Sequence, residues 1–284
     1  MDQKRRTPTY SYRPAPPPHK NPALYKTMLK KEIWATAGAL VVAVLLISFF
    51  WTHHIDKKAA DTAAKNTTPT QQTTSASTFD KSKYSLTDPA SIWVIVNKKH
   101  ILNPKDYVPS DLVTPSLALR VPGNESMQMR KATADALTQL FDGAKTAGFN
   151  LMVASGYRSY TYQVNLYGGY VSSIGQTEAD KTSARPGYSE HQTGLAVDVE
   201  ATTRNCELDA CFGATPEGKW VAENAYKYGF IIRYTEDKVG VTGYDFEPWH
   251  LRYVGADLAT EMHSKGIKTL EEFFNVPGGD YAKQ

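Results

Sequence analysis

Two short polar stretches, far apart in the chain, place the strongest constraint on its fold. The first runs Ser-Glu-His-Gln-Thr-Gly-Leu-Ala-Val-Asp at 189–198, and the second runs Glu-Pro-Trp-His at 247–250. His191, Asp198 and His250 together supply two neutral imidazoles and a carboxylate, a set that suits Zn²⁺ with a fourth position left for water. Bound Zn²⁺ lowers the pKa of that water to about 7. The fold must therefore bring both stretches to one point. The sequence predicts the catalytic zinc site of a hydrolase.

Glu247 is the acidic residue of the second stretch and is left free to move protons. It lies three residues before His250, and in an extended segment this odd spacing places two side chains on opposite faces. Pro248 and Trp249 must therefore bend the backbone if both side chains serve one pocket. We expect Glu247 to take a proton from the attacking water and pass it to the leaving amine. The alternative is that it orients a ligand histidine.

Further candidates could line a cleft around the metal. Arg158 follows a predicted buried strand, where a guanidinium could bind a carboxylate or stabilise an oxyanion, or else form a structural ion pair. Ser189 is near enough to His191 to bind a substrate carboxylate, or it makes a local turn bond. Gln163 lines the same cleft or lies on an exposed helix face. Three aromatic side chains are cleft-wall candidates that could instead pack in the core: Tyr157, Tyr188 and Trp249.

The apolar run from Ile33 to Thr52 is uncharged and, as a helix, would span about 30 Å, the thickness of a bilayer core. Basic residues precede it and balanced charges follow it, so the positive-inside rule places the N-terminus in the cytoplasm. A cleaved signal peptide is the alternative, but its apolar core is usually shorter and no small-residue cleavage site follows. The run predicts a single-pass cell-membrane anchor with the folded domain outside the cell.

Composition divides the rest of the chain. Net charge is +3, but the basic excess lies in residues 1–31 and the remainder is net acidic, so we expect no nucleic-acid binding. Cys206 and Cys211 could form a disulfide, remain free thiols or, less readily, bind metal. The predicted organisation is a disordered basic Pro-rich cytoplasmic tail at 1–32, a transmembrane helix at 33–52, a flexible extracellular stalk at 53–83, the zinc domain at 84–277 and a tail at 278–284.

Hydrophobic patterning in the zinc domain predicts an α+β fold, with a mainly antiparallel central sheet flanked by helices, because helices and strands mix without a βαβ rhythm. Strands are predicted at 93–96, 149–154, 195–200, 230–234 and 249–254. Helices are predicted at 126–148, 159–173, 216–228, 255–265 and 269–275.

The ordered motifs across about residues 90–275 resemble those of the VanY-like D-alanyl-D-alanine carboxypeptidases, zinc peptidases that act on bacterial cell walls. The matching segments include Ser155-Gly156-Tyr157-Arg158-Ser159, Ala184-Arg185-Pro186-Gly187-Tyr188-Ser189-Glu190-His191-Gln192-Thr193-Gly194, Tyr228-Gly229-Phe230 and Glu247-Pro248-Trp249-His250-Leu251-Arg252-Tyr253. This resemblance implies the hedgehog/D-Ala-D-Ala peptidase fold and Zn²⁺ as the cofactor. It also implies zinc ligation by His191, Asp198 and His250, with Glu247 as the base.

The same resemblance implies that Arg158 stabilises the transition state and that Ser189 and Gln163 contact the peptide end. The expected activity is a membrane-anchored D,D-carboxypeptidase that removes the terminal D-alanine from peptidoglycan stem peptides, through a monomeric catalytic domain. An L,D-carboxypeptidase converting tetrapeptide to tripeptide is the nearest alternative, and an endopeptidase cutting crosslinks is a weaker one. The alternative of another class is a wall-binding module with purely structural zinc, against which the intact Glu247 and the open metal position argue.

Overall fold

The structure, a computed structural model, describes residues 79–282 of the 284-residue chain. The predicted cytoplasmic tail at 1–32, the predicted transmembrane helix at 33–52 and nearly all of the predicted stalk at 53–83 lie outside the described residues. Within 79–282, no helix has the length and apolar character needed to cross a bilayer.

The strands of the described part form one four-stranded sheet and one small ribbon. They are β1 (Leu112–Val113), β2 (Met129–Arg130), β3 (Leu151–Ser155), β4 (Ala196–Ala201), β5 (Phe230–Tyr234) and β6 (Glu247–Tyr253). The four-stranded sheet has the order β3-β4-β6-β5, and every neighbouring pair is antiparallel. β1 and β2 form the separate ribbon. The predicted α+β class with an antiparallel central sheet is confirmed.

Residues 79–282 also form α-helices. They are α1 (Lys131–Thr146), α2 (Tyr160–Ile174), α3 (Gln176–Thr182), α4 (Pro216–Asn224), α5 (Val239–Thr242), α6 (Ala256–Ser264) and α7 (Leu270–Phe274). Short 3₁₀ turns link several of them. The turn at Glu190–Thr193 matters most for the site, because it leads directly into β4.

The two faces of the four-stranded sheet carry different chemistry. Val197 and Val199 of β4, Phe230 of β5 and Leu251 of β6 all lie in the main hydrophobic core. Because successive strand residues point to opposite faces, Asp198 lies on the other face. That second face carries the ionisable side chains of the site.

Helix α1 covers the apolar face of the sheet. Its Leu137, Leu140, Phe141 and Ala144 recur at helical spacing and are buried in the main core. Burying one such large apolar side chain stabilises the fold by about 1.5–3 kcal/mol. This packing fixes which face of the sheet remains for polar groups.

Two sequence-based predictions of local structure were wrong. Residues 93–96 form a buried loop rather than a strand, with the Trp93 indole N–H donating to the Val254 carbonyl at 2.9 Å. The helix predicted from Ser126 begins at Lys131, because Glu125–Met127 forms a 3₁₀ turn capped by the Asn124 side chain and β2 follows it. Buried apolar segments have similar compositions whether they form a helix, a strand or a loop. The hydrogen-bonding partners supplied by the rest of the fold decide which of these forms.

The remaining predicted elements are present with small shifts at their ends, whereas α3, α5 and the β1–β2 ribbon were not predicted. The predicted helix at 216–228 ends as an α-helix at Asn224 and continues as a 3₁₀ turn to Tyr228. Gly229 follows with a left-handed φ of 83°, a conformation that glycine adopts readily. Cys206 and Cys211 form a disulfide, which decides among the three states that the sequence left open.

Candidate metal and catalytic site

Antiparallel pairing brings the three predicted metal ligands together. Asp198 on β4 and His250 on β6 are direct cross-strand partners, so their side chains share one face. His191 lies in the preceding 3₁₀ turn, and Gly194, at a left-handed φ of 67°, turns the chain into β4. Asp198 Oδ1 lies 3.4 Å from His191 Nε2 and 3.6 Å from His250 Nδ1. One ligand atom from each residue lies within 4.8 Å of the others, and all three side chains are buried.

This donor set fits Zn²⁺. Ligands about 2.1 Å from a tetrahedral ion are about 3.4 Å apart, close to the two distances measured from Asp198 Oδ1. That oxygen is buried and has no hydrogen-bond partner among residues 79–282. A buried carboxylate oxygen without a hydrogen bond is costly unless an ion occupies the space that it faces.

The backbone sets the orientation of His191. Its Nδ1 lies 2.6 Å from the Gly156 carbonyl, so the Nδ1–H donates there and Nε2 is left to face Asp198. Burial and the charge of Arg158 lower the pKa of His191 to about 4, against the opposing attraction of Asp198. The imidazole is therefore neutral near pH 7, which is the state that binds metal.

His250 is surrounded by carboxylates. Its Nδ1 faces Asp198 and Glu247, while its Nε2 lies 3.6 Å from Glu190 Oε2. Burial opposes the charged form, but Glu190, Glu247 and Asp198 outweigh it and raise the pKa of His250 to about 9 in the absence of metal.

A bulge in β6 turns Glu247 towards the site. Ile232 pairs with Leu251 but Tyr234 pairs with Glu247, so β6 contains extra residues between the two pairs. Glu247 Oε2 consequently lies 3.4 Å from His250 Nδ1, which confirms the predicted bend. Burial raises the pKa of Glu247, partly offset by His250. Its side chain is 12 % exposed, which leaves a route for water.

Arg158 holds the second oxygen of Asp198. Its Nη2 donates to Asp198 Oδ2 at 2.6 Å and its Nε donates to Ser155 Oγ at 3.0 Å. The ion pair named as an alternative is thus formed. Because the arginine uses Oδ2, Oδ1 stays free to face the histidines. The Arg158 side chain is 17 % exposed. Its stabilisation of an oxyanion stays a prediction.

Two predicted substrate contacts, Ser189 and Gln163, occupy buried positions. Ser189 directly precedes the turn that carries His191, and its hydroxyl makes no capping bond to that turn. Gln163 lies in the interior rather than on an exposed helix face. Its amide donates to Ser183 Oγ and to the Ala184 carbonyl, so it holds the segment leading into the first stretch.

The three aromatic candidates lie in different surroundings. Trp249 packs against the main hydrophobic core and Tyr157 is buried. Both placements match the core alternative. Tyr188 is half-buried, with its ring edge-on to Tyr281 at 5.3 Å between centroids. Substrate contact by any of the three stays a prediction.

Sequence reasoning assigned no role to Glu190, which the structure places behind His250. A usable signal was present in Arg233, which interrupts the otherwise apolar strand β5, and in Arg252, a second arginine inside a predicted strand. Charged residues at buried strand positions indicate an internal ionic partner.

Replacement of Gly156 by alanine is expected to weaken both folding and metal binding. An added Cβ would lie 2.3 Å from the Gln128 carbonyl oxygen, so the backbone that positions His191 must shift. We expect the free energy of unfolding to fall by about 1–3 kcal/mol, measured in urea, with weaker zinc retention against a chelator. Gly168→Ala, where an added Cβ meets nothing within 4 Å, is the control. Unchanged stability and zinc retention in the Gly156 variant would contradict this packing.

Comparison with known proteins places this site in a family. Residues 126–256 match the VanY family, described as D-alanyl-D-alanine carboxypeptidase. The putative carboxypeptidase YodJ of Bacillus subtilis is 42 % identical over 231 residues, covering 78 % of this chain and 83 % of YodJ.

Two solved structures extend the comparison. The structure of the LdcB L,D-carboxypeptidase superposes with a TM-score of 0.62 at 45 % identity, over 67 % of this chain and 89 % of LdcB. That structure was used to explain how LdcB recognises peptidoglycan. A variant of the vancomycin-resistance D,D-pentapeptidase VanY in complex with Zn(II) gives a TM-score of 0.52 at 34 % identity, over 64 % of this chain and 98 % of that one.

Fold and donor set together define a zinc metallo-carboxypeptidase. Within that class, the chain belongs to the VanY family.

Proposed function

We propose that this protein removes the C-terminal D-alanine from peptidoglycan stem peptides. The observation that carries the proposal is the buried His191–Asp198–His250 cluster with Glu247 beside it, in a chain of the VanY family. Zn²⁺ held by these three residues would supply Lewis-acid chemistry and would lower the pKa of water enough to make hydroxide available near neutral pH.

Three polar residues act on the substrate in this scheme. Glu247 accepts the proton of the attacking water and later delivers it to the amine of the departing D-alanine. Arg158 donates to the oxygen that becomes negative as the carbonyl is attacked. Ser189 holds the terminal carboxylate of the peptide. The net change is hydrolysis of one peptide bond.

Two peptide bonds of the stem are candidates for cleavage. The family description and the zinc-bound VanY structure support a D,D-carboxypeptidase that shortens pentapeptide stems. The higher identity and TM-score with LdcB favour an L,D-carboxypeptidase that shortens tetrapeptides.

Digestion of purified muropeptides tests the proposal and separates the two candidates. Pentapeptide and tetrapeptide muropeptides are incubated with the full-length protein, and the loss of one alanine is followed by mass spectrometry. Loss from the pentapeptide supports the D,D activity, and loss from the tetrapeptide supports the L,D activity. Release of monomers from crosslinked dimers would indicate an endopeptidase. No cleavage of any of them would contradict the proposal and favour a wall-binding module.

We also propose that residues 33–52 anchor the protein in the cytoplasmic membrane, with the catalytic domain outside the cell. The uncharged run and the basic segment before it support this topology. The disulfide between Cys206 and Cys211 is typical of an oxidising compartment.

Fractionation tests the anchor. The full-length protein is expected with the membranes, where protease added to protoplasts digests the catalytic domain. Deletion of residues 1–52 is expected to move the protein to the soluble fraction. Recovery of the full-length chain as a soluble protein would contradict the anchor.

A further inference from the structure

A buried ionic cluster lies behind His250 and is separate from the predicted catalytic residues. Glu190, Arg233, Arg252 and Glu271 form it, and each of their side chains is at most 2 % exposed. Ion pairs at such depth are costly unless every charge is fully partnered. Two guanidinium groups and two carboxylates balance here, so the cluster as a whole is neutral.

Glu190 has one oxygen bound and one oxygen directed at the metal site. Its Oε1 accepts hydrogen bonds from Arg233 Nε and from Arg252 Nη1, each at 2.8 Å. Its Oε2 is buried, has no hydrogen-bond partner within the described residues and lies 3.6 Å from His250 Nε2. That nitrogen is likewise buried and unpartnered within the described residues. The two unpartnered atoms face each other, slightly beyond hydrogen-bonding distance.

Strands and loop carbonyls keep the two arginines in place. Arg252 is on β6, two residues after His250, and its Nη2 donates to the carbonyls of Ile92 and Val94 at 3.0 and 2.9 Å. Arg233 lies on the neighbouring strand β5. Arginines on β5 and β6 therefore both bind Oε1 of Glu190. This keeps the other oxygen, Oε2, directed at His250.

The cluster continues to the C-terminal helix. Glu271 on α7 accepts from Arg233 Nη1 and Nη2 at 2.9 and 2.7 Å. The same carboxylate accepts from the Asn97 amide at 2.8 Å. A continuous series of charged contacts therefore joins His250 to α7.

We propose that Glu190 is a positioning residue that orients His250 for metal binding, with Arg233, Arg252 and Glu271 holding its carboxylate. Glu190 accepts the Nε2–H of His250, which fixes the tautomer and leaves Nδ1, the nitrogen facing Asp198, as the metal donor. The inference rests on the metal site of the proposed function, but it concerns ligand orientation rather than the choice of peptide.

The first test needs no substitution. The ¹⁵N chemical shifts of the His250 ring are measured in the full-length protein loaded with Zn²⁺, using labelled histidine. The inference expects a protonated Nε2 and a metal-bound Nδ1. A protonated Nδ1 with a metal-bound Nε2 would overturn it.

The second test measures metal affinity. Glu190→Gln keeps the size of the side chain but weakens the acceptor, and we expect zinc affinity to fall about 10–100-fold in competition with a chelator. The Co²⁺-substituted variant should show a changed absorption spectrum. Glu272→Gln is the matched control, because Glu272 adjoins Glu271 but pairs with Lys238 at the surface. A folded Glu190→Gln protein with the zinc affinity of the wild type would overturn the inference.

Glu271→Gln covers the case in which Glu190→Gln does not fold. This substitution weakens the hold on Arg233 and does not touch His250 directly. We therefore expect a smaller loss of zinc affinity than in Glu190→Gln. Unchanged zinc affinity would count against the inference. If both variants fail to fold, the ring shifts of the wild type decide. These readouts are independent of peptide cleavage. An enzyme that binds zinc as described but cleaves no stem peptide would defeat the proposed function alone.

Discussion

Replacement of Glu247 by glutamine is expected to lower kcat by about 10³-fold, within the 10²- to 10⁴-fold range of general acid–base catalysis. Glutamine has nearly the same shape but cannot accept the proton of the attacking water. Glu247 lies 3.4 Å from His250 Nδ1 and is not needed to complete the His–Asp–His set. Zinc content and KM should therefore change little. Release of D-alanine from stem peptides, followed with a zinc assay on the same sample, measures all three.

The control for this experiment is Glu236→Gln, which changes an exposed glutamate in the 3₁₀ turn after β5. It should leave kcat unchanged. Full turnover in the Glu247 variant would contradict its role as the base. Loss of zinc together with activity would instead show that Glu247 helps to hold the metal.

Replacement of His250 by alanine is expected to reduce zinc affinity by more than the 10- to 100-fold typical of outer-sphere partners, and activity should fall with it. The substitution removes one of three donors. It also leaves Glu190 Oε2 facing a cavity, without the imidazole that lies 3.6 Å away. A buried carboxylate oxygen in that position opposes folding as well as metal binding. Zinc per chain after dialysis against a weak chelator measures the effect.

His263→Ala is the matched control for His250→Ala. His263 is exposed on α6, where its ring stacks on Tyr226 at 3.5 Å between centroids. It lies outside the ligand cluster, so its loss should leave the zinc content unchanged. Retention of one zinc per chain by the His250 variant would contradict the assigned ligand set.

The sequence predicted the candidate metal ligands but not the register that joins them. The His191–Asp198 spacing, together with the Glu-Pro-Trp-His segment at 247–250, was enough to predict the three metal ligands. Their meeting depends on the cross-strand pairing of Asp198 with His250, which is set by packing across the whole sheet. The bend at Glu247 could be predicted from its odd spacing, whereas its form as a bulge depends on the pairing of β6 with β5.

Arg233 and Arg252 indicate a buried acidic partner, but the sequence alone could not identify that partner as Glu190, for a related reason. A single glutamate before a histidine indicates nothing until Arg233 and Arg252 are brought next to it by β5 and β6. The early start predicted for α1 has a simpler cause. Apolar residues continue ahead of the helix at Met127 and Met129, but these two buried side chains are two residues apart, which fits the 3₁₀ turn and strand that they form rather than one face of a helix.

The most direct test of the metal site is a crystal structure with data collected on both sides of the zinc absorption edge. We expect a single anomalous peak in contact with His191 Nε2, Asp198 Oδ1 and His250 Nδ1, with solvent on its remaining side and Glu247 next to that solvent. A peak bound by other side chains, or these imidazoles turned away from each other in a zinc-loaded active enzyme, would contradict the account.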